Sequence, residues 1–460
     1  MAKIICITSG LTGILNASFE LVNRLEADGH ELLYASPVNV RKNVERQQIS
    51  YIQLPEILTQ TKLELPNFRG PLRKVSRWFY KLKNANQLRE KALLDMEPTA
   101  FVKMLDIENP DLLIVDVELH EYIIKAYSRP IPLVILSQWF SLWKRSGLPY
   151  LLHSTIPGQG WKGQAWAIEF SWVIIRIKRW WTFFKQKLYT VGTDRRSLLL
   201  YLAKQEDFPL NLIIENNWPG PFTYAKIPVI SMTAEELEFP HDKRPNLSYI
   251  GPMIAEGRKD IVEDGKIMKQ LSEVFRIKKE EGALLIYCSV SSLHKGDHVF
   301  LERVIEAVAS QNNWLLVIGM GGLIERSDFQ NLPSNVYAFS NVPQLQVLKE
   351  ADCSINHGGI HTINECIHFK VPMLIYSGKR SDQNGCAARI AFHGLGIMAD
   401  KDKDDVATIE SKIEKILNEV TYREKIGSMH KKYLRYKESH KLEETINYFL
   451  SSEVEVYEKI

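Results

Sequence analysis

Short apolar runs closed by glycine or proline alternate along the chain with stretches in which apolar positions recur every three or four residues. Lys3–Ser9 has the pattern of a buried strand, Gly10–Leu15 of a loop, Asn16–Ala27 of an amphipathic helix and His30–Ala35 of a second strand. This βαβ opening predicts a parallel, doubly wound sheet. Its turn, SGLTG, lacks the G-x-G-x-x-G spacing, so no nicotinamide or flavin fingerprint is expected there. Further strands are expected at Asp111–Val115, Leu133–Leu136, Leu212–Glu215 and Val229–Ser231. Periodicity fades over Thr233–Met253, which is rich in Pro, Asp and Asn as a linker is. Alternation then restarts: strand Ala283–Cys288, helix Asp297–Ser310, strands Trp314–Ile318 and Val336–Phe339, helix Pro343–Lys349, strand Cys353–Asn356, helix Ile360–Phe369 and strand Met373–Tyr376. The prediction is an α/β protein of two Rossmann-like domains, residues 1–240 and 253–435. The charged stretch Thr408–Tyr448 reads as helical, and the segment at about 440–460 is a candidate to pack back on the first domain.

A length of 460 residues agrees with two domains, since a single core stops growing well before that size. With 45% hydrophobic and 25% charged residues and a net charge of +3, disorder, collagen and coiled coil are excluded, and no nucleic-acid footprint is expected. The five cysteines are scattered without a C-x-x-C pair, which fits reduced thiols in a cytoplasm. The apolar N-terminal run breaks at Ser9-Gly10, as a first strand does and a signal peptide does not. No window approaches the roughly 18 apolar residues of a membrane span. A soluble or peripheral protein is expected, cytoplasmic or at the membrane surface.

One segment changes that picture. In EFSWVIIRIKRWWTFFKQKLY, Glu169–Tyr189, Trp172, Trp180, Trp181, Phe183 and Phe184 interleave with Arg176, Lys178, Arg179, Lys185 and Lys187. Such a helix suits a membrane-surface or lipid-acceptor site. It equally suits a helix buried on one side with snorkelling bases on the other. A similar patch, RKVSRWFYKLK from Arg73 to Lys83, favours the interfacial reading.

The candidate chemistry lies at HGGIHTINE, His357–Glu365, after the strand ending in Asn356. A strand, a glycine turn and a helix N-terminus aim unpaired N–H groups and the helix dipole at one spot, which suits an anion. Asp382-Gln383 follows the next strand at the same sheet edge, and a carboxylate beside an amide suits a ligand with several hydroxyls. Ser289, Ser291 and Ser292 follow another strand of the same series.

These residues resemble a known family. VPQLQVLKEADCSINHGGIHTINECIHFKVPMLIYSGKRSDQNGCAARIAFHGLGI, Val342–Ile397, is similar to the donor-site signature of the UDP-glycosyltransferase superfamily, the inverting GT-B enzymes of glycosyltransferase family 1. CITSGLTGILNASFELVNRLEADGHEL, PDLLIVDV and SYIGPM resemble other parts of the family pattern. The resemblance implies a GT-B fold, two Rossmann-like domains facing each other across a cleft. It implies that His357 and the backbone of Gly358 and Gly359 hold the donor diphosphate, with Thr362 adding a hydroxyl contact. Glu365 would take the ribose hydroxyls, Asp382 and Gln383 the sugar, Val342 and Gln344 the base, and Ser292 another phosphate oxygen.

The chain departs from the family at its catalytic histidine. Aligned back from Gly29-His30, that position is Ile14, which cannot accept a proton. Asp116 stands where the partner aspartate would be, followed by Glu118 and His120. Ser291 and Cys386 replace the more usual glycine and asparagine. Three explanations fit: the base has moved to His120, Asp116 or Glu118; the acceptor is acidic and needs little base; or the protein binds a nucleotide sugar without transferring it. The structural alternatives are a helix cap for Asp116, a solvated Glu118 and a core His120.

The expected activity is inverting transfer of a sugar from UDP-glucose or a relative to an apolar small-molecule or lipid acceptor, without a metal or other cofactor. The alternatives are a non-catalytic accessory protein that binds nucleotide sugars and a UDP-sugar epimerase on the same fold.

Overall fold

The computed structural model describes residues 1–56, 66–140, 142–215, 220–259, 265–289, 298–321, 329 and 332–451. The N-terminal half carries β1 (Lys3–Ile7), β2 (Glu31–Ser36), β3 (Tyr51–Gln53), β4 (Leu112–Asp116), β5 (Leu133–Ser137), β6 (Ile213–Glu215), β7 (Phe222–Tyr224), β8 (Val229–Ser231) and β9 (Leu247–Tyr249). Seven of them form one parallel sheet in the order β3-β2-β1-β4-β5-β8-β9. The second half carries β10 (Leu284–Ser289), β11 (Trp314–Gly319), β12 (Val336–Phe339), β13 (Cys353–Asn356), β14 (Met373–Tyr376) and β15 (Gly396–Ala399). These form a second parallel sheet in the order β12-β11-β10-β13-β14-β15. Near-continuous apolar runs such as Leu112–Val115 are what strands covered on both faces require, and all four are fully buried.

Nine helices bear on function: α1 (Thr12–Ala27), α2 (Arg73–Lys83), α3 (His120–Tyr127), α4 (Ala165–Thr190), α5 (Arg195–Gln205), α6 (Ile360–His368), α7 (Gln383–His393), α8 (Val420–Glu438) and α9 (Lys441–Ser451). The region Gly10–Leu15, expected as a loop, is already helical from Thr12. Leu11 provides no side-chain cap there; burial sets the start, because Ile14 and Leu15 enter the same apolar cluster as Phe19 and Leu21. The run expected as a strand at Leu212–Glu215 forms β6, which pairs antiparallel with β7 outside both main sheets. Its partner is close in sequence, and β7 buries Phe222 and Tyr224. Leu247–Tyr249, inside the stretch where periodicity fades, pairs with β8 as an edge strand.

α9 packs on the N-terminal half. Leu442 and Ile446 share a core with Ile14, Leu21 and Leu25, and Arg24 forms a two-pronged ion pair with Glu443 at 2.8 and 2.6 Å. Burying the two aliphatic side chains stabilises this return by about 1.5–3 kcal/mol each. The halves also meet directly. Arg389 of α7 pairs with Glu238 at 2.8 Å, the two side chains being 3% and 0% exposed, and Asn384 donates to the Leu152 carbonyl at 2.9 Å.

Candidate active site

The carboxyl end of β4 supplies the N-terminal wall. Asp116 is fully buried and accepts the Ser9 N–H at 2.9 Å and the Glu118 N–H at 3.1 Å, tying the β1–α1 loop to the β4 end. Burial raises its pKa, and the hydrogen bonds from Ser9 and Glu118 pull the other way. Glu118, one turn on, is part-buried and its carboxyl is pushed up to about 7, first by burial and then by the Asp116 charge, with Arg195 opposing and Asp382 adding to the rise. Asp382 belongs to the C-terminal half, so its field at Glu118 sets the two walls face to face.

His120 is placed differently. Its ring is fully buried against Phe222, with centroids 4.9 Å apart, and Nδ1 lies 3.0 Å from the Tyr224 hydroxyl. Burial drives its pKa down to about 3, so it is neutral across the usual working range. Ile14 is hydrocarbon at the heart of the N-terminal core.

The second wall is the β13–α6 turn. Asn356 accepts the Gly358 N–H at 2.9 Å and donates to Ser354 at 3.1 Å, which fixes the turn from behind. Gly358 has φ +84°, and a side-chain carbon there would stand 2.9 Å from Ile375 Cγ2 and 3.0 Å from the Gln383 carbonyl. At Gly359 such a carbon would stand 2.8 Å from His357 Nε2. The left-handed φ and the close Gln383 carbonyl make glycine the residue that fits at Gly358. Thr362, in the first turn of α6, is part-buried.

The base and ribose candidates form one chain. Tyr287 donates to Gln344 at 3.1 Å, Gln344 donates to Glu365, and Arg258 meets the other Glu365 oxygen at 3.1 Å. Arg258 and Glu365 are 5% and 8% exposed. Val342 lies beside this chain, since a side-chain carbon on Gly319 would touch both Val342 Cγ2 and the Tyr287 hydroxyl at 3.0 and 3.1 Å. At the start of α7, Asp382 is buried and its pKa is raised by that burial, while the Cys386 thiol, 3.3 Å away, and the Ile360 N–H favour its charged form. Gln383 accepts the Gly378 N–H at 2.8 Å, which shapes the loop between β14 and α7. Ser292, with Ser291, lies outside the described residues.

Three participants have no signal in the sequence: Arg195, Arg258 and His361. Arg195, at the first position of α5, grips the buried Glu121 at 2.8 and 2.9 Å and also donates to the Glu118 carbonyl at 2.9 Å. Burial alone would raise the Glu121 pKa, and the Arg195 guanidinium outweighs it, so the carboxyl ends below its usual value. The Thr-Asp-Arg-Arg start of that helix was a legible cap signal, yet nothing local tells which carboxylate Arg195 reaches. Arg258 and His361 were missed for the same reason. His361 Nε2 lies 3.2 Å from Gln138 Oε1 across the two halves.

A family model described as "Erythromycin biosynthesis protein CIII-like, C-terminal domain" matches residues 311–437. An uncharacterized UDP-glucosyltransferase YdhE of Bacillus subtilis is 28% identical over 148 residues, 32% of this chain and 37% of the relative. The NDP-glycosyltransferase YjiC of the same organism is 24% identical over 183 residues, 40% of this chain and 43% of the relative. The chain thus spans less than half the length of these relatives. The crystal structure of a glycotransferase of kitacinnamycin superposes with a TM-score of 0.66 at 18% identity, covering 98% of this chain and 99% of that one. The fold is that of this solved structure, GT-B, and the match to the family model at residues 311–437 contains Val342–Ile397.

Proposed function

We propose that this GT-B chain is an inverting glycosyltransferase that moves a sugar from a nucleoside-diphosphate donor to an acceptor held by its N-terminal half. The donor in this reading is UDP-glucose or a relative. The acceptor is an apolar secondary metabolite or lipid with a hydroxyl or acidic group. One observation carries the reading: Glu118, a carboxyl pushed up to about 7, stands at the β4 end within the field of Asp382, a carboxylate that accepts the Ile360 N–H of the opposite wall. A base with a pKa near the working pH combines a useful ionised fraction with real proton affinity.

In this mechanism the acceptor oxygen attacks the anomeric carbon from the N-terminal side as its proton passes to Glu118. The bond from that carbon to the diphosphate oxygen breaks, and the electron pair leaves with the nucleotide. Its charge meets the Gly359 N–H, the α6 N-terminus and His357, while the Gly358 N–H, held by Asn356, fixes the turn that presents them. Thr362 and Ser292 add hydroxyl contacts, Asp382 and Gln383 orient the sugar, and Val342, Gln344 and Glu365 seat the nucleoside. Asp116 does not replace Glu118 here, because it is occupied in holding the β1–α1 loop. The reading calls on no metal.

A non-catalytic nucleotide-sugar-binding protein is the second reading, and it is favoured by Glu365 already being engaged by Arg258 and Gln344. A UDP-sugar epimerase would leave the pocket lined by Arg179, Arg195 and Arg196 without an occupant. Incubating UDP-glucose with the chain and a panel of lipophilic acceptors separates them. Transfer to an acceptor supports the proposal, isomerised donor supports the epimerase, and an untouched donor that still shifts thermal unfolding supports the accessory protein.

A further inference from the structure

Helix α4 has two apolar faces. Ile168, Trp172 and Ile175 are buried with Tyr150, and Trp172 donates to the Leu148 carbonyl at 2.7 Å. On the other side Trp166, Phe170, Val173, Ile177, Trp180 and Phe184 recur every three or four residues and are each 46–65% exposed. This stripe runs over most of a helix that is about 39 Å long at 1.5 Å per residue. α2 lies alongside: Trp78 donates to the Leu188 carbonyl at 2.9 Å, and Lys81 sits 5.0 Å over the Tyr189 ring. It extends the apolar surface with exposed Val75 and Phe79. A patch of this size and continuity marks an interaction surface.

Charge identifies the occupant. Arg73, Lys74, Arg77 and Lys83 are exposed on α2, whose sequence contains no acid. Arg176, Lys178 and Lys185 are exposed on α4, whose single acid, Glu169, is paired with Lys144. A second copy on this face would set like charges against like around a two-fold axis. An anionic lipid surface receives both features, with aromatic rings at the headgroup boundary and cations at the phosphates. No helix among the described residues is long and apolar enough to cross a membrane, so the fit is to lying on the surface. Beneath α4, Tyr150, Arg179, Phe183, Arg195, Arg196 and Pro221 line a cavity of about 350 Å³, and Arg195 is the residue that reaches the Glu118 carbonyl.

We infer that the α4–α2 face seats the protein on an anionic bilayer, with the stripe from Trp166 to Phe184 at the headgroup boundary. The arginine-lined cavity then opens beside the lipid, on the route to Glu118. The docking itself does not depend on the transferase reading, and it is read without donor or turnover.

Flotation of the full chain with phosphatidylcholine vesicles, with and without one third phosphatidylglycerol, tests it. Binding is expected to the anionic vesicles only, weakening with salt and by about fivefold for each of Lys74→Gln and Lys178→Gln. Ile177→Ser/Trp180→Ser/Phe184→Ser should abolish it while the melting transition stays in place, because the buried face of α4 is untouched. Absence of binding by the wild-type chain overturns the inference. So does equal binding by the triple variant, and so does a dimer in sedimentation that the triple variant dissociates without any vesicle binding.

Discussion

His361 of α6 lies over Gly13 of α1: a side-chain carbon at Gly13 would stand 2.8 Å from His361 Cδ2. The C-terminal half therefore rests on the first turn of the N-terminal half at a glycine, one residue before the buried Ile14. The imidazole is turned toward Gln138, and burial lowers its pKa to about 4, so it acts here as a neutral packing and hydrogen-bonding group.

Gly13→Ala should displace the His361 ring and lower stability by about 1 kcal/mol, read from the midpoint of denaturant unfolding. In a His361→Ala background the same change should be neutral or stabilising, since alanine is the better helix former. Equal effects in both backgrounds would remove this contact from the account.

Glu118→Gln should reduce transfer by about 10²–10⁴-fold while leaving the UDP-induced shift in melting temperature intact. In the wild-type chain kcat/KM should rise with pH through about 7, because the base must be ionised. The stability sign is opposite. A carboxyl raised in the folded state is most favourable when protonated, so its contribution is present below the ordinary glutamate range and declines as pH rises from about 4.5 towards 7. Glu118→Gln should flatten that decline.

His120→Ala should leave the position of the rate limb unchanged. Its effect is expected on folding, about 2–3 kcal/mol for losing the ring contact with Phe222 and the Tyr224 partner. Movement of the pH limb in this variant would transfer the base from Glu118 to His120.

UDP at about 100 times its dissociation constant should add roughly 2.7 kcal/mol to native stability. Gly358→Ala should erase that shift, because the new carbon meets Ile375 and the Gln383 carbonyl at a left-handed φ. Glu365→Ala should reduce it. An undiminished shift in both variants would place the nucleotide elsewhere.

Arg389→Met should cost about 3–5 kcal/mol, since it strands the buried Glu238 carboxylate between the halves. Calorimetry should then show the two halves melting further apart. A single unchanged transition would mean that the other contacts between them suffice.

Much of the fold was legible in the chain because its signals are local. The apolar runs and the glycine between Ser9 and Leu11 marked β1 and its exit, and HGGIHTINE marked the β13–α6 turn, whose conformation only glycines permit at Gly358. The strand at Leu212–Glu215 was legible, but not its antiparallel pairing with β7, because a short apolar run has the same pattern in a main sheet as in a hairpin. The start of α1 was missed because nothing caps it, and burial decides it.

By itself the sequence determined two parallel α/β layers, the glycine turn before α6, the Asp382-Gln383 pair at the same edge and the aromatic, basic character of α2 and α4. Each follows from residue type and spacing within about one turn or strand. Only the tertiary structure decided that Ile14 is core, that Glu118 shares the cleft with Asp382 while His120 is enclosed by Tyr224 and Phe222, and that Arg258 meets Glu365 across 107 positions. It also decided which face of α4 stays exposed. Desolvation and long-range charge pairing depend on what the folded chain brings near, and no spacing along the chain records that.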